Sequence, residues 1–207
     1  MSDHANLPPT TSPTSAASRS DQTAPTNNNN QTAGTELTLP CADRFWRDVI
    51  TPLSAIRGAG ASNSNSPELR DFQTRFENPE LRAVAWQHIG DCGVSLHLSQ
   101  SNRRILAATL LPHVASDGEP SWKALIKITK LAASTEDMET YELAGRIALK
   151  AKLPDPIIDR LAMPFAKYST HNVAQVPALT PWVELFARHG SKATYSILFD
   201  RMKRRMA

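Results

Sequence analysis

Two groups of residues in this 207-residue chain have types and spacing suited to chemistry. The first is His88, Cys92 and His97, side chains that ligate zinc when four such groups converge. Their spacing matches no common zinc pattern and no fourth ligand is evident, so packing at a capped helix end accounts for them and no metal is expected. The second group is cationic. Between Arg188 and Ala207 stand Arg188, Lys192, Arg201, Lys203, Arg204 and Arg205 against one acid, Asp200. Positive charge is favourable at a helix C-terminus through the helix dipole. The same strip could bind phosphates, with an affinity that weakens as salt rises because binding releases counterions. The residues alone do not separate these two readings.

Asp200 follows Phe199 on what reads as the apolar stripe of the last helix, so a carboxylate is expected at the edge of buried surface. A charge there is costly unless paired, and Arg160, preceding Leu161, Phe165 and Ala166, is a candidate partner from another helix. Signatures of catalysis are missing from the sequence: there is no Gly-rich phosphate loop, no His-Glu-x-x-His and no nucleophile elbow. Glu136, Asp137 and Glu139 read as a solvated helix start. Neither an enzyme nor a cofactor is expected.

The elements that must position these residues are helical. Phe45, Trp46, Val49, Ile50, Leu53 and Ile56 recur at three- and four-residue steps until Gly58 and Gly60. Ser66-Pro67-Glu68 and Asn78-Pro79 read as helix entries, with the polar side chain as cap and proline at the first position. Leu81, Val84, Ala85, His88 and Ile89 share a face of the next helix, which Gly90 and Gly93 should end. Further helices are expected over Arg103–Leu111, Trp122–Leu131, Tyr141–Leu149 and Ile157–Tyr168, the last with Pro164 as a kink or restart. Thr180-Pro181 should open Trp182–Arg188, with Thr180 as cap, and His189-Gly190-Ser191 should close it. Lys192–Met206 is the last helix, with Tyr195, Leu198, Phe199 and Met202 on its apolar side. No alternating run bounded by hairpin turns stands out. The fold class is therefore all-α, a core of roughly seven to nine helices.

Composition divides the chain at residue 40. Ser, Thr, Asn, Gln and Pro supply 25 of the first 40 residues, including the run Asn27–Asn30, with Arg19 as the one strong cation. Such a segment cannot bury enough apolar surface to offset its ordering entropy, so 1–40 reads as a disordered polar arm and 41–207 as the helical core. The formal charge of +3 becomes 22 basic against 17 acidic groups once the arm is set aside. Cys41 and Cys92 are far apart in a chain without a secretory leader, so free thiols in a reducing compartment are expected. No run of about 18 apolar residues suggests a membrane span.

Gly93-Val94-Ser95 follows the helix containing Trp86 and Ile89; Arg160 leads through Pro164-Phe165-Ala166; Gly190-Ser191-Lys192 is followed by Phe199-Asp200. Glu142-Leu143-Ala144-Gly145-Arg146 lies upstream of the arginine. In this order, over about 80–200, the motifs resemble those of coat proteins from flexuous filamentous plant RNA viruses. The resemblance implies a helical core with extended arms, the N-terminal arm docking on a neighbouring subunit, and polymerisation into a helical tube around single-stranded RNA. It implies a virion protein, also present in the host cytoplasm, that packages RNA without sequence preference and has no membrane partner. By the same resemblance Ser95, Arg160 and Asp200 line the groove that grips the RNA backbone, joined by Lys192 and Arg188 from the cationic strip. Leu161 stands where that family usually has glutamine, Val94 where it has a small or hydroxylated residue, and Arg201 where it has an aromatic. The interval from Ser95 to Arg160 is longer than usual.

Two other resemblances point elsewhere. Leu143-Ala144 through Ile158-Asp159, then Trp182 to Phe199, resembles a death-domain helix series, implying an α-helical protein-interaction module. The acid-poor, Ser/Thr-rich start resembles the leader of a translocated bacterial effector.

Overall fold

Ser66, Asn78 and Ser99 cap the helices that follow them, and Gly93, Gly118 and Gly190 stand just beyond helix ends. The computed structural model describes residues 41–56, 66–94, 98–168 and 176–206, and among these there is no strand. The polar arm 1–40, Gly58 and Gly60, and Ser95 lie outside the described residues. The helices belong to one compact unit, Thr38–Ala207.

The first segment runs as α1 (Cys41–Phe45), a π-helical turn (Trp46–Ile50) and α2 (Thr51–Ala55). It buries Phe45, Val49, Ile50, Leu53 and Ile56, while Trp46 stays exposed. Helix α3 (Pro67–Arg75) is capped by Ser66, whose Oγ accepts from the Leu69 N–H at 3.2 Å. Helix α4 (Pro79–Cys92) is capped by Asn78, whose Oδ1 accepts from the Glu80 N–H at 2.9 Å. These caps satisfy backbone donors that helix geometry leaves open. Gly93 ends α4 at φ 82°, in the left-handed region that glycine enters without a Cβ clash. Gly90 does not end it: it is buried inside α4, where a Cβ would lie 3.1 Å from Lys123 Cβ. Its small size serves a close helix crossing.

Helix α5 (Gln100–Leu110) ends just before Pro112, without breaking the helical path of the chain. A 3-10 turn (Leu111–His113) carries the chain through the proline into α6 (Val114–Asp117), and Gly118 makes the break at φ 66°. Proline fits the first positions of a helical turn because no N–H is needed there. Then follow α7 (Glu119–Ser134), α8 (Met138–Lys150), α9 (Asp155–Tyr168), α10 (Val176–His189) and α11 (Lys192–Met206). Helix α10 begins four residues before Thr180, so Thr180 and Pro181 lie within it rather than at its entrance.

Helix α7 is central: it packs against α4, α8 and α9, while α8 packs on α10 and α9 on α11. Trp86, Ile89, Leu106, Leu110, Leu125, Tyr141, Leu161 and Trp182 are among the fully buried side chains, and burying each large apolar group stabilises the fold by about 1.5–3 kcal/mol. The α8–α10 contact is close because Gly145 has no side chain. A Cβ there would sit 2.8 Å from Trp182 Nε1, and that indole instead donates to the Tyr141 carbonyl at 3.1 Å.

Two charged groups are buried against the expectation from their segments. Asp137 is 2 % exposed, accepting from Arg104 Nε at 2.7 Å and from Thr140 Oγ1 at 2.9 Å. Arg82 is 8 % exposed in α4, although it stands outside the set Leu81, Val84, Ala85, His88 and Ile89 expected to form the packed face. It reaches Asp117 with two nitrogens and the Phe76 and Glu77 carbonyls with the third.

Candidate nucleic-acid interface

The N-terminus of α11 is tied to α9 by side chains. Ser191 Oγ accepts from the N–H groups of Ala193 and Thr194 at 3.0 and 3.1 Å, a capping arrangement that satisfies the open donors of the first turn. The same hydroxyl donates to Asp159 Oδ1 of α9 at 2.8 Å, and the buried Thr194 hydroxyl donates to the same oxygen. Asp159 therefore joins two helices through one carboxylate.

Arg160 follows Asp159 and Lys192 follows Ser191, so the clasp brings the backbone of both residues to one junction, and both side chains are exposed. Among the described residues neither has a carboxylate within ion-pair distance. Arg188, in the last turn of α10, is also exposed but pairs with Glu184 one turn earlier. Exposed pairs of this kind contribute about 0–1 kcal/mol, so Arg188 is readily released to another anion.

Asp200 does not pair with Arg160. Asp200 is exposed, as is Phe199 at 59 %, so no carboxylate stands at the edge of buried surface here. The reason is helix phase. Helix α11 turns Thr194, Ile197 and Leu198 toward the rest of the fold and leaves Tyr195 and Phe199 in solvent. Ser95, the remaining member of the set, lies outside the described residues.

A further cationic feature is absent from the sequence reading. Lys123, Lys127 and Lys130 are all exposed along α7, and among the described residues none has a carboxylate within ion-pair distance. Steps of four and three residues put them on one face over about 10 Å. The signal was legible as a lysine repeat in a segment whose one acid, Glu119, lies at its start. A second arginine-rich place is the open cleft of about 470 Å³ lined by Arg44, Arg47, Arg75, Asn78 and Glu80. Its Asp48 is held below the ordinary carboxylate range by hydrogen bonding to Arg47, against burial and with added help from the Arg47, Arg44 and Arg75 charges.

Of the three residues of metal-ligating type, His88 is engaged in packing and Cys92, in the last turn of α4, is exposed. His88 stacks on Phe45 with ring centroids 4.1 Å apart, and burial lowers its pKa against the opposing charge of Asp91. Cys41 lies 3.7 Å from the Val84 carbonyl, and burial pushes its thiol up. His97 lies outside the described residues, and among those described no cluster of three or more His, Cys, Asp or Glu has the arrangement to hold a metal. Among them too, no helix is long and apolar enough to cross a membrane. Comparison with protein-family models, with curated proteins and with solved structures finds no match to this chain.

Proposed function

We propose that this protein is a non-enzymatic viral coat protein that self-assembles into a helical filament and packages single-stranded RNA through contacts to its sugar–phosphate backbone. The observation that carries the reading is the Asp159–Ser191 clasp, which brings the backbone of Arg160 and Lys192 to one junction, their side chains exposed and without a carboxylate partner among the described residues. Guanidinium and ammonium groups so placed suit phosphate, the arginine as a bidentate fork and the lysine as a point charge. Backbone contacts position a strand without reading its bases, as a coat must. Arg188 joins them by exchanging Glu184 for phosphate. Ser95 and Asp200 enter from the order of motifs, as a hydroxyl donor and as an acid that orients an arginine. On this reading the protein resides in the virion and, before assembly, in the host cytoplasm.

The test is binding of a fluorescein-labelled oligouridylate at increasing salt, with electron microscopy of the RNA-bound protein. Expected are filaments and an affinity whose logarithm falls by about 0.7 per neutralised phosphate for each tenfold rise in salt. Arg160→Ala should keep the fold and lose packaging. A salt-insensitive monomer overturns the reading. A second reading, an α-helical protein-interaction module, is favoured by Met163 and Val183, apolar side chains 45 % and 55 % exposed on α9 and α10. It predicts no RNA affinity and self-association that is lost in the Met163→Ser/Val183→Ser variant.

A further inference from the structure

Helix α11 leaves two aromatic rings in solvent, Tyr195 at 49 % and Phe199 at 59 % exposure. At about 100° per residue, Lys192, Tyr195, Phe199 and Lys203 fall within a stripe about 80° wide. All four are exposed. Along the helix the order is cation, ring, ring, cation, over about 16 Å.

We propose that Tyr195 and Phe199 form a base-stacking platform for single-stranded nucleic acid, with Lys192 and Lys203 binding phosphates at its two ends. This rests on the RNA-binding reading above and adds to it the residues that meet the bases. Every base has a π face, so stacking on aromatic side chains strengthens binding without demanding a sequence, and flanking cations track the backbone. The alternation of charge and ring matches the alternation of phosphate and base.

Three observations favour a ligand over a solvated helix face. One ring is anchored to a neighbouring helix and the other has a cation beside it. Tyr195 donates its hydroxyl to the Phe186 carbonyl of α10 at 2.9 Å, and Lys203 Nζ lies 4.8 Å from the Phe199 ring centroid. Ordered rings lose less freedom on binding. The rings are also outside the main packing of α11, which engages Thr194, Ile197 and Leu198. Finally, the stripe has polar residues on one flank, Ser196 and Asp200, and a lysine at each end, all exposed, while Leu198 on the other flank is packed against the core. A partner helix would need a continuous apolar strip; separate bases between phosphates need only the rings. Asp200 opposes a phosphate on its own side, which favours a strand running along the Tyr195 side.

The experiment compares the full-length protein with Tyr195→Leu, Phe199→Leu and Phe199→Trp. The probes are a labelled oligouridylate and an abasic oligomer with the same number of phosphates. Leucine keeps apolar bulk and removes the π face, and far-ultraviolet circular dichroism checks the fold of each variant. Expected is a drop of at least fivefold in oligouridylate affinity for each leucine variant, with an unchanged salt slope, unchanged affinity for the abasic chain and tighter oligouridylate binding by Phe199→Trp. If the wild type binds both probes equally and the ring variants match it, the platform is overturned while RNA binding stands. A wild type that binds neither probe overturns both. If the leucine variants lose self-association and keep RNA affinity, the rings belong to a protein contact and the platform is likewise overturned.

Discussion

Arg82 on α4 holds Asp117 at the end of α6 with two parallel hydrogen bonds, Nε to Oδ2 at 2.6 Å and Nη2 to Oδ1 at 2.9 Å. Trp86 Nε1 donates to the same carboxylate at 2.8 Å, and Arg82 Nη1 reaches the Phe76 and Glu77 carbonyls. One guanidinium thus fastens the α3–α4 corner to the segment that leads into α7.

Breaking this pair from one side leaves a largely buried charge without its partner. Arg82→Ala should lower stability by about 3–5 kcal/mol, seen as a fall in the urea midpoint. The double variant Arg82→Met/Asp117→Leu removes both charges and should recover much of that loss. A double variant no more stable than Arg82→Ala would show that the carbonyl contacts of Arg82, rather than the ion pair, carry the effect.

Acid should destabilise the fold in two steps. Burial first, then the charge of Arg82, holds the His113 pKa below its ordinary 6.5, against the opposing charges of Asp117 and Glu77. The unfolded chain therefore binds a proton at His113 more readily, and stability falls as pH drops from about 6.5 toward the lower folded value. Burial raises the Asp117 pKa, but hydrogen bonds from Arg82, Trp86 and Ser116 and the charge of Arg82 more than offset it, so the carboxyl sits below its ordinary 3.8. Its contribution is present above that value and is lost as pH falls through the folded pKa. Thermal midpoints measured between pH 7 and pH 3 should decline in both windows. His113→Gln should shrink only the upper one, the remainder coming from His88, whose pKa burial also lowers.

Gly145→Ala should cost about 1–3 kcal/mol through overpacking, although the same change in an open helix is favourable by up to about 1 kcal/mol. The added Cβ would meet Trp182 Nε1 at 2.8 Å, Trp182 Cε2 at 2.9 Å and Pro181 Cβ at 3.1 Å. Tryptophan fluorescence should shift along with the thermal midpoint. A variant as stable as the wild type would mean that α10 moves away from α8 without loss.

Asp159→Ala removes the acceptor shared by Ser191 and Thr194 and leaves the Thr194 hydroxyl buried without it. A loss of about 1–3 kcal/mol is expected in denaturant unfolding. Under the proposed function, RNA affinity should fall as well, because Arg160 and Lys192 lose their common anchor, although neither residue is changed. Unaltered affinity in the destabilised variant would separate the clasp from binding.

Much of the local architecture was legible because the rules that set it act within four residues. Ser66-Pro67 and Asn78-Pro79 supply a cap and a preset φ, and the helices start there. His189-Gly190 closes α10, and α11 spans Lys192–Met206 as its sequence predicts. Where local cues failed, a distant partner was responsible. Thr180-Pro181 carries a strong start signal, yet α10 runs through it, with Pro181 and Trp182 packed over Gly145 of α8. Asp137 has the character of a solvated helix start until Arg104, 33 residues away, is placed beside it.

The candidate site divides along the same line. Residue types and spacing determined the helical class, the cationic end of the chain and the presence of Arg160, Lys192 and Arg188. They did not decide which sector of α11 is buried. Its apolar residues spread over about 200° of the helix, more than one neighbour covers. Only the position of α9, fastened by Asp159 to Ser191 and Thr194, selects Thr194, Ile197 and Leu198 for packing and leaves Tyr195 and Phe199 exposed. A sequence specifies how each helix can form; which of its faces meets water depends on partners 30 or more residues away, brought together when the whole core packs.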